Sequence, residues 1–316
     1  LSLLKTKRLT TYCHSIGLNN IYTDWRQMLE IEHLDALAIA VTPNTQYEIQ
    51  VTYTDAEGVT GTNPVTATVT TRAEIFPSNG TSYYVAPTGN DGNPGTEASP
   101  FQTIQKAVLV ANAGDNVLVK AGTYQEKVTV SKLGNEGNYI TIKNFGNDKP
   151  LLDAANNPAS CGSQNARYAK CGFLLTGSFI RLSGFEIINV QLGIKIDDPA
   201  QNIIVENNYI HDVVFVTNPS GSIRVGNSEQ NNVKNITIQG NTVFGAPGDP
   251  AAPAISLYGT VGGHVIRNNT IKGSWPGQEG LHGSDCIGGS PDTATHGWGS
   301  DNYVYNNTCT GPTDDG

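Results

Sequence analysis

The second half of the chain repeats one pattern of apolar and polar residues. Each copy contains a short alternating run, then an Asn or Gly, then a second short apolar run. The copies are Ile203–Ile210, Ile236–Val243, His264–Ile271 and Asn302–Cys309, with a more distant relative at Ile180–Ile187. Short alternating runs indicate strands, and Asn or Gly between them indicates a turn. Repeats of this kind predict the stacked rungs of a parallel β-solenoid.

Aligning the copies produces two columns of residues. The first column contains Phe185, Asn208, Asn241, Asn269 and Asn307, and the second contains Ile187, Ile210, Val243, Ile271 and Cys309. An inward Asn at a turn can bond the backbone of its own rung and the Asn of the rung above. We therefore expect a ladder of buried asparagines along the solenoid.

A second predicted strand precedes each copy. These strands are Gly193–Ile196, Ser222–Val225, Ala254–Leu257 and Asp285–Gly288. Strand alternation directs one set of side chains inward, namely Ile194, Ile223, Ile255 and Cys286. The outward set on one side is then Lys195, Arg224, Ser256 and Ile287, and the flanking outward set is Gly193, Ser222, Ala254 and Asp285.

Residues 1–74 have a different pattern. Tyr47–Tyr53 and Val65–Thr71 alternate strictly around a turn at Asp55–Gly58, as half-buried antiparallel strands do. Together with Val41–Tyr47, they resemble the second half of a fibronectin type III β-sandwich. Residues 75–82 are rich in Pro, Gly and Ser, which predicts a linker.

Near the start of residues 83–316, Phe101–Val110 have a helical pattern of apolar residues. This pattern predicts a short helix that caps the open end of the solenoid. Three motifs surround and include this helix: Tyr83–Asp91, Pro100–Ala107 and Gly114–Tyr124. They closely resemble the start of the right-handed β-helix polysaccharide lyases, in particular the family 9 pectate lyases. The resemblance implies a right-handed parallel β-helix over residues 83–316. With the small β-sandwich before it, the predicted fold class is all-β.

Composition narrows the function classes. Only 15% of the 316 residues are charged, the net charge is −9, and Gly is abundant with 35 residues. This profile is typical of an extracellular β-rich protein, and its acidity argues against a nucleic-acid partner. No apolar run is long enough for a membrane span. The chain begins at Leu1 without Met and shows no signal peptide, which indicates a processed chain or a fragment.

Five cysteines are too few for a disulfide scaffold. Cys161 and Cys171 bracket a polar insertion, and we predict that they pair in an oxidising compartment. Cys286 and Cys309 both fall at inward rung positions. One interpretation left open for them is a pair of buried thiols that act as small hydrophobic side chains.

The resemblance also implies a calcium site. The family 9 lyases hold calcium with carboxylates on adjoining rungs, and the positions that match are Asp285, Asp314 and Asp315. The family's third Asp of that motif and its catalytic Lys would lie beyond Gly316. His282 and His296 are the remaining candidate bases, with ordinary loop histidines as the alternative.

Four further residues are candidates for polymer binding. Lys195 and Arg224 would stack on neighbouring rungs about 4.8 Å apart and bind the carboxylates of a uronate polymer. Alternatively, they form a solvated face that neutralises Asp197 and Asp198. Trp275 and Trp298 would stack on sugar rings, or else cover the edges of rungs.

Together these features favour a secreted or cell-surface, calcium-dependent polysaccharide lyase that cleaves an acidic polysaccharide such as pectate by β-elimination. The main alternative is a non-catalytic surface, adhesive or filament-forming β-helix. A third is a hydrolase or C5-epimerase on the same solenoid, for which a hydrolase would need paired acids.

Overall fold

The computed structural model describes residues 46–51, 65–70, 80–156, 161, 170–214, 221–227, 232–246, 253–273, 286–289 and 297–310. The chain divides into two compact units, Leu1–Ile75 and Phe76–Gly316. In the first unit, β1 (Gln46–Val51) pairs antiparallel with β2 (Val65–Thr70), from Gln46 opposite Thr70 to Val51 opposite Val65. The alternating sequence predicts this pairing. Two strands do not test the fibronectin type III assignment of residues 1–74, which stays a prediction.

The second unit is a right-handed parallel β-helix built from three sheets, so the predicted fold class is confirmed. Sheet I contains β3 (Ser82–Val85), β4 (Asn116–Val119), β7 (Ile140–Asn144), β10 (Ser178–Ser183), β13 (Gln201–Glu206), β16 (Lys234–Gln239), β19 (Val265–Arg267) and β22 (Tyr303–Tyr305). Sheet II contains β5 (Gly122–Tyr124), β8 (Pro150–Asp153), β11 (Glu186–Ile188), β14 (Tyr209–Ile210), β17 (Thr242–Phe244), β20 (Thr270–Lys272) and β23 (Thr308–Thr310). Sheet III contains β6 (Val128–Val130), β9 (Cys171–Leu175), β12 (Leu192–Ile196), β15 (Gly221–Gly226), β18 (Ile255–Tyr258) and β21 (Ile287–Gly289).

Left-handed backbone at the turn between sheets I and II explains the Asn and Gly in the repeat. The residue before the Asn column has a positive φ in every copy. These residues are Gly184 (79°), Asn207 (53°), Gly240 (64°), Asn268 (57°) and Asn306 (54°). Gly and Asn tolerate this conformation best, because other side chains clash with the following carbonyl oxygen. The Asn and Gly residues of the repeat are therefore explained by the geometry of the turn as well as by the packing of the core.

The predicted asparagine ladder is present inside the solenoid. The Asn241 Oδ1 atom accepts hydrogen bonds from the backbone N–H of Asn208 (3.0 Å) and from its side-chain amide (3.1 Å). The Asn241 side-chain amide donates to the Val205 carbonyl (3.0 Å) and to Asn269 Oδ1 (3.0 Å). Asn269 repeats the arrangement with Asn307. Each amide thus satisfies buried backbone groups of two rungs, which would otherwise cost about 1–3 kcal/mol each.

The hydrophobic core follows the second predicted column over Ile187, Ile210, Val243 and Ile271, all 0% exposed, whereas Cys309 at the end of the column is exposed. Ile187, Ile210, Val243, Ile271 and Cys309 are paired in sequence through the strands of sheet II. At the N-terminal end, α1 (Ile104–Val110) buries Ile104, Ala107 and Val108 against the first rungs. The helix begins later than the predicted Phe101, because Thr103 is its N-cap and accepts a hydrogen bond from the backbone of Lys106.

Four of the cysteines form two disulfides. Cys161 is bonded to Cys171, as predicted, and Cys286 is bonded to Cys309. The interpretation of the second pair as buried thiols is therefore wrong. Cys286 lies within 3.9 Å of the Ile271 carbonyl oxygen, and Cys309 pairs with Ile271 across sheet II. Both sulfur atoms consequently meet beside the same residue.

The predicted register of the last sheet III strand is also wrong, by one residue. Ile287, and not Cys286, pairs with Ile255, and Gly288 pairs with Ser256. The strand begins only at Ile287, because Cys286 is turned toward Cys309 by the disulfide. In the part of the chain that the structure describes, no helix is long and apolar enough to cross a membrane.

Candidate functional site

Two outward positions on sheet III carry the basic row, which we define as Lys195 and Arg224. The two residues are direct partners across β12 and β15, as predicted, and Ser256 continues the column on β18. Their exposure differs from the prediction. Lys195 is 1% exposed and Arg224 is 5% exposed, so the basic row is not a solvated face.

Polar partners hold the Lys195 ammonium in place. Its Nζ atom lies 3.5 Å from Asp197 Oδ1 and donates to the Gly226 carbonyl. The side-chain amide of Asn227 also donates to Asp197 Oδ1 (3.0 Å). Burial lowers the pKa of Lys195 to about 8, with Asp197 opposing that shift and Arg224 adding to it. The amine therefore remains mostly a cation at neutral pH. The alternative interpretation predicted this neutralising contact with Asp197.

The other member of the basic row stacks on an aromatic ring. Arg224 Cζ lies 4.4 Å from the centroid of the Tyr258 ring, within the range of a cation–π contact. Asp198, the second carboxylate named by the alternative, accepts instead from the backbone N–H of Asn232 (2.7 Å). Each charge of this region thus already has a structural contact.

Trp298 lies on the last described rung, where it packs against the hydrophobic core. A Cβ atom added at Gly289 would lie 2.4 Å from the indole Nε1, so the absence of a side chain at Gly289 makes room for the ring. Thr260 Oγ1 donates to the Trp298 carbonyl (2.7 Å). This half-buried position matches the interpretation of Trp298 as a residue that covers the edge of a rung.

The remaining predicted site residues lie outside the described residues. They are Asp285, Asp314, Asp315, His282, His296 and Trp275. Among the described residues, no group of three or more His, Cys, Asp or Glu side chains is arranged to hold a metal ion. The Cys286–Cys309 disulfide joins described residues that lie close in sequence to these carboxylates, with a Cα–Cα distance of 6.0 Å. Asp285 directly precedes Cys286, and Asp314 is the fifth residue after Cys309.

Sheet II carries an outward cluster that the sequence analysis did not single out. We define the sheet II patch as Tyr209, His211, Phe244 and Lys272, with Glu186 at its edge. The Tyr209 and His211 rings are stacked with their centroids 4.2 Å apart, and Phe244 meets both rings edge-on at 6.0 and 6.3 Å. Lys272 Nζ lies 5.0 Å from the Phe244 centroid. Tyr209 is 41% exposed.

Carboxylates approach both ring nitrogens of His211. Its Nε2 atom lies 3.1 Å from Glu186 Oε1, and its Nδ1 atom lies 3.1 Å from Asp212 Oδ2. The repeat contains the sequence signal for this patch. Tyr209 and His211 flank the inward Ile210. On the next two rungs, Phe244 and Lys272 occupy the position of His211, directly after the inward residue.

On sheet I, the outward polar residues bond one another. Glu206 is paired with Arg181 and accepts from the Gln239 amide (2.7 Å). Arg267 donates to Gln239 Oε1 (2.9 Å) and to the Tyr305 hydroxyl (3.1 Å). These side chains form a continuous polar chain over five rungs, which makes them structural cross-links between rungs.

Comparisons with known proteins agree with this architecture. The family model "Pel9A-like, right handed beta helix region" matches residues 83–244. Uncharacterized protein YwoF of Bacillus subtilis (strain 168) is 27% identical over 208 residues, which cover 60% of this chain and 42% of that protein. Pectate lyase L of Dickeya dadantii (strain 3937) is 32% identical over 115 residues, 33% of this chain and 25% of that protein.

Pectate lyase PEL9 of Emericella nidulans is 25% identical over 206 residues, which cover 62% of this chain and 48% of that protein. The chain spans less than half the length of each of these three relatives.

Proposed function

Because the chain belongs to the Pel9A-like family of right-handed β-helix proteins, we propose that it is a calcium-dependent polysaccharide lyase. Its substrate is an acidic, uronate-containing polysaccharide such as pectate. The observation that carries this proposal is the family match over residues 83–244, just over half of the chain, and two pectate lyases among its relatives support it. We further propose that the protein works outside the cell, where its two disulfides would persist.

The calcium site of this proposal comprises Asp285, Asp314 and Asp315. Three carboxylates are hard oxygen donors of the kind that calcium prefers. The Cys286–Cys309 disulfide supports their convergence, since it ties together the chain segments that carry Asp285 and Asp314. Calcium bound there supplies positive charge that stabilises the negative charge on the uronate when its C5 proton leaves.

His282 or His296 acts in this proposal as the base that removes the C5 proton. The electron pair of that C–H bond then forms the C4–C5 double bond, the C4–O bond breaks, and the leaving oxygen takes a proton from solvent. Trp275 stacks on a sugar unit of the polymer, whereas Trp298 covers the edge of a rung.

The basic row has a narrower role in the proposal than the sequence suggested. Lys195 and Arg224 are buried and partnered, and the carboxylates of Asp197 and Asp198 offset their charge, so in this proposal they stabilise the rungs of sheet III rather than bind individual carboxylates of the polymer.

A product assay on a panel of polysaccharides tests the proposed function. The chain is incubated with pectate, alginate and rhamnogalacturonan in calcium, and both ultraviolet absorbance and new reducing ends are measured. A lyase produces both signals together, because each cleavage creates an unsaturated uronide. Reducing ends without absorbance would instead indicate a hydrolase. Neither signal on any polymer would contradict the proposal and favour the non-catalytic surface protein.

A further inference from the structure

The sheet II patch has the geometry of a stacking platform. Tyr209 and His211 are two residues apart on one rung, so strand alternation directs both side chains outward. Phe244 follows on the next rung, and Lys272 pairs with Phe244 on the rung after that. The edge-on contacts of Phe244 with both rings fix the aromatic groups relative to one another. The result is a preformed aromatic surface across neighbouring rungs.

Hydrogen-bond acceptors border the same surface. The side chains of Glu186 and Asp212 are 35% and 65% exposed, although each contacts a nitrogen of His211. An ionised carboxylate accepts several hydrogen bonds, so each retains acceptor capacity toward solvent. His211 holds the two carboxylates on either side of its ring, beside Tyr209.

We propose that the sheet II patch binds a neutral pyranose unit of a polysaccharide. The C–H face of the sugar lies on the exposed Tyr209 ring, beside the Phe244 ring that stands at 68° to it, because the negative face of an aromatic ring attracts weakly positive C–H groups. The sugar hydroxyls donate to Glu186 and Asp212. Glu186 is the cross-strand neighbour of Tyr209, and Asp212 lies on the same rung as Tyr209, whereas Lys272 lies two rungs further along, over Phe244. Carboxylates therefore border the Tyr209 ring and repel a uronate there, so the patch selects a neutral unit, in contrast to the acidic substrate proposed above. The site does not depend on lyase activity.

Calorimetry of the full chain tests this site. The probes are cellotetraose, xylotetraose and galactotetraose, with tetragalacturonate as the acidic comparison. We expect at least one neutral probe to bind, and Tyr209→Ala to weaken it about tenfold, the equivalent of about 1.4 kcal/mol of lost stacking. Tyr209→Phe should retain binding, because it keeps the ring. Glu186→Gln should weaken the same probe, since it replaces a charged acceptor with a neutral one.

Tyr303→Ala is the matched control, because Tyr303 is a 62% exposed tyrosine on sheet I. It should bind the neutral probe like the unchanged protein. The proposal is overturned if no neutral tetrasaccharide binds or if Tyr209→Ala binds as tightly as Tyr303→Ala. It is also overturned if tetragalacturonate is preferred and that binding is lost in Tyr209→Ala. If Tyr209→Ala does not fold, equal affinities of Glu186→Gln and the unchanged protein overturn it as well.

Discussion

The outward positions of sheets II and III obey the same strand alternation, but they serve the molecule in opposite ways. On sheet III, Lys195 is 1% exposed and bonded to Asp197 and Gly226. On sheet II, Tyr209 is 41% exposed, and its contacts are with other members of the patch. An outward position in a rung is therefore not the same as a binding position. What separates the two regions is burial and whether the fold already uses the polar groups.

Removing the buried cation of Lys195 should have the largest effect on stability and so tests this comparison most strongly. Lys195→Ala should lower the free energy of unfolding by about 3–5 kcal/mol, because it leaves Asp197 and the Gly226 carbonyl without their cation. Lys272→Ala is the control on sheet II and should cost less than about 0.5 kcal/mol, since Lys272 is exposed. Urea unfolding measures both values. Equal costs would mean that the two regions do not differ as described.

Lowering the pH should reduce the stability of the folded protein through a buried histidine, His264. His264 is 1% exposed, and burial lowers its pKa to about 4. Its Nδ1 atom accepts from the backbone N–H of Ile236, and its Nε2 atom contacts Thr260 Oγ1 at 2.9 Å, as a neutral ring allows.

Between pH 6.5 and pH 4 the unfolded chain gains a proton on His264 that the folded protein does not. The stability present above pH 6.5 should therefore fall by about 3 kcal/mol over this window and then level off. Urea unfolding across this range measures the change, and His264→Asn should remove this part of it. An unchanged pH dependence in that variant would contradict the assignment.

Removing one side-chain amide from the asparagine ladder should have an intermediate effect on stability. Asn269→Ala should cost about 1–3 kcal/mol, because Asn269 is 1% exposed and bonds groups on both neighbouring rungs. Asn268→Gly is the matched control one residue earlier. Gly adopts the positive φ of Asn268 without strain, so the midpoint temperature of thermal unfolding should change little. Similar losses in both variants would place the turn, and not the buried amide, at the origin of the effect.

The smallest stability effect should come from the sheet II patch. Tyr209→Ala should change the free energy of unfolding by less than about 1 kcal/mol, because an exposed side chain forms little of the core. The same variant should lose neutral-sugar binding. A stability loss as large as that of Lys195→Ala would make the aromatic cluster a structural element like the basic row.

Much of the fold follows from the sequence, since turn chemistry and alternation are local. The repeat predicts the Asn ladder because Asn208, Asn241 and Asn269 align in one inward column. It predicts the partnership of Lys195 with Arg224 because register follows from aligned rungs. The burial of those two cations could not be predicted, because it depends on side-chain contacts such as that of Arg224 with Tyr258 on the next rung. The register of Ile287 was missed for a related reason: a long-range disulfide sets where β21 begins.

The site was less predictable than the fold. Tyr209 and His211 were visible in the repeat as alternate outward positions, but their importance depends on Phe244 and Glu186 from neighbouring rungs. Resemblance to the family suggested Asp285, Asp314 and Asp315, and their joint role as calcium ligands remains a proposal.

The calcium dependence of pectate cleavage tests the central claim most directly. The initial rate of unsaturated uronide formation is measured for the chain and for Asp285→Asn, after chelation and at increasing calcium concentrations. We expect no rate after chelation, recovery to saturation with added calcium, and a rate for Asp285→Asn that is abolished or requires far more calcium. Cleavage that survives chelation, or an identical calcium dependence for both proteins, would contradict that claim.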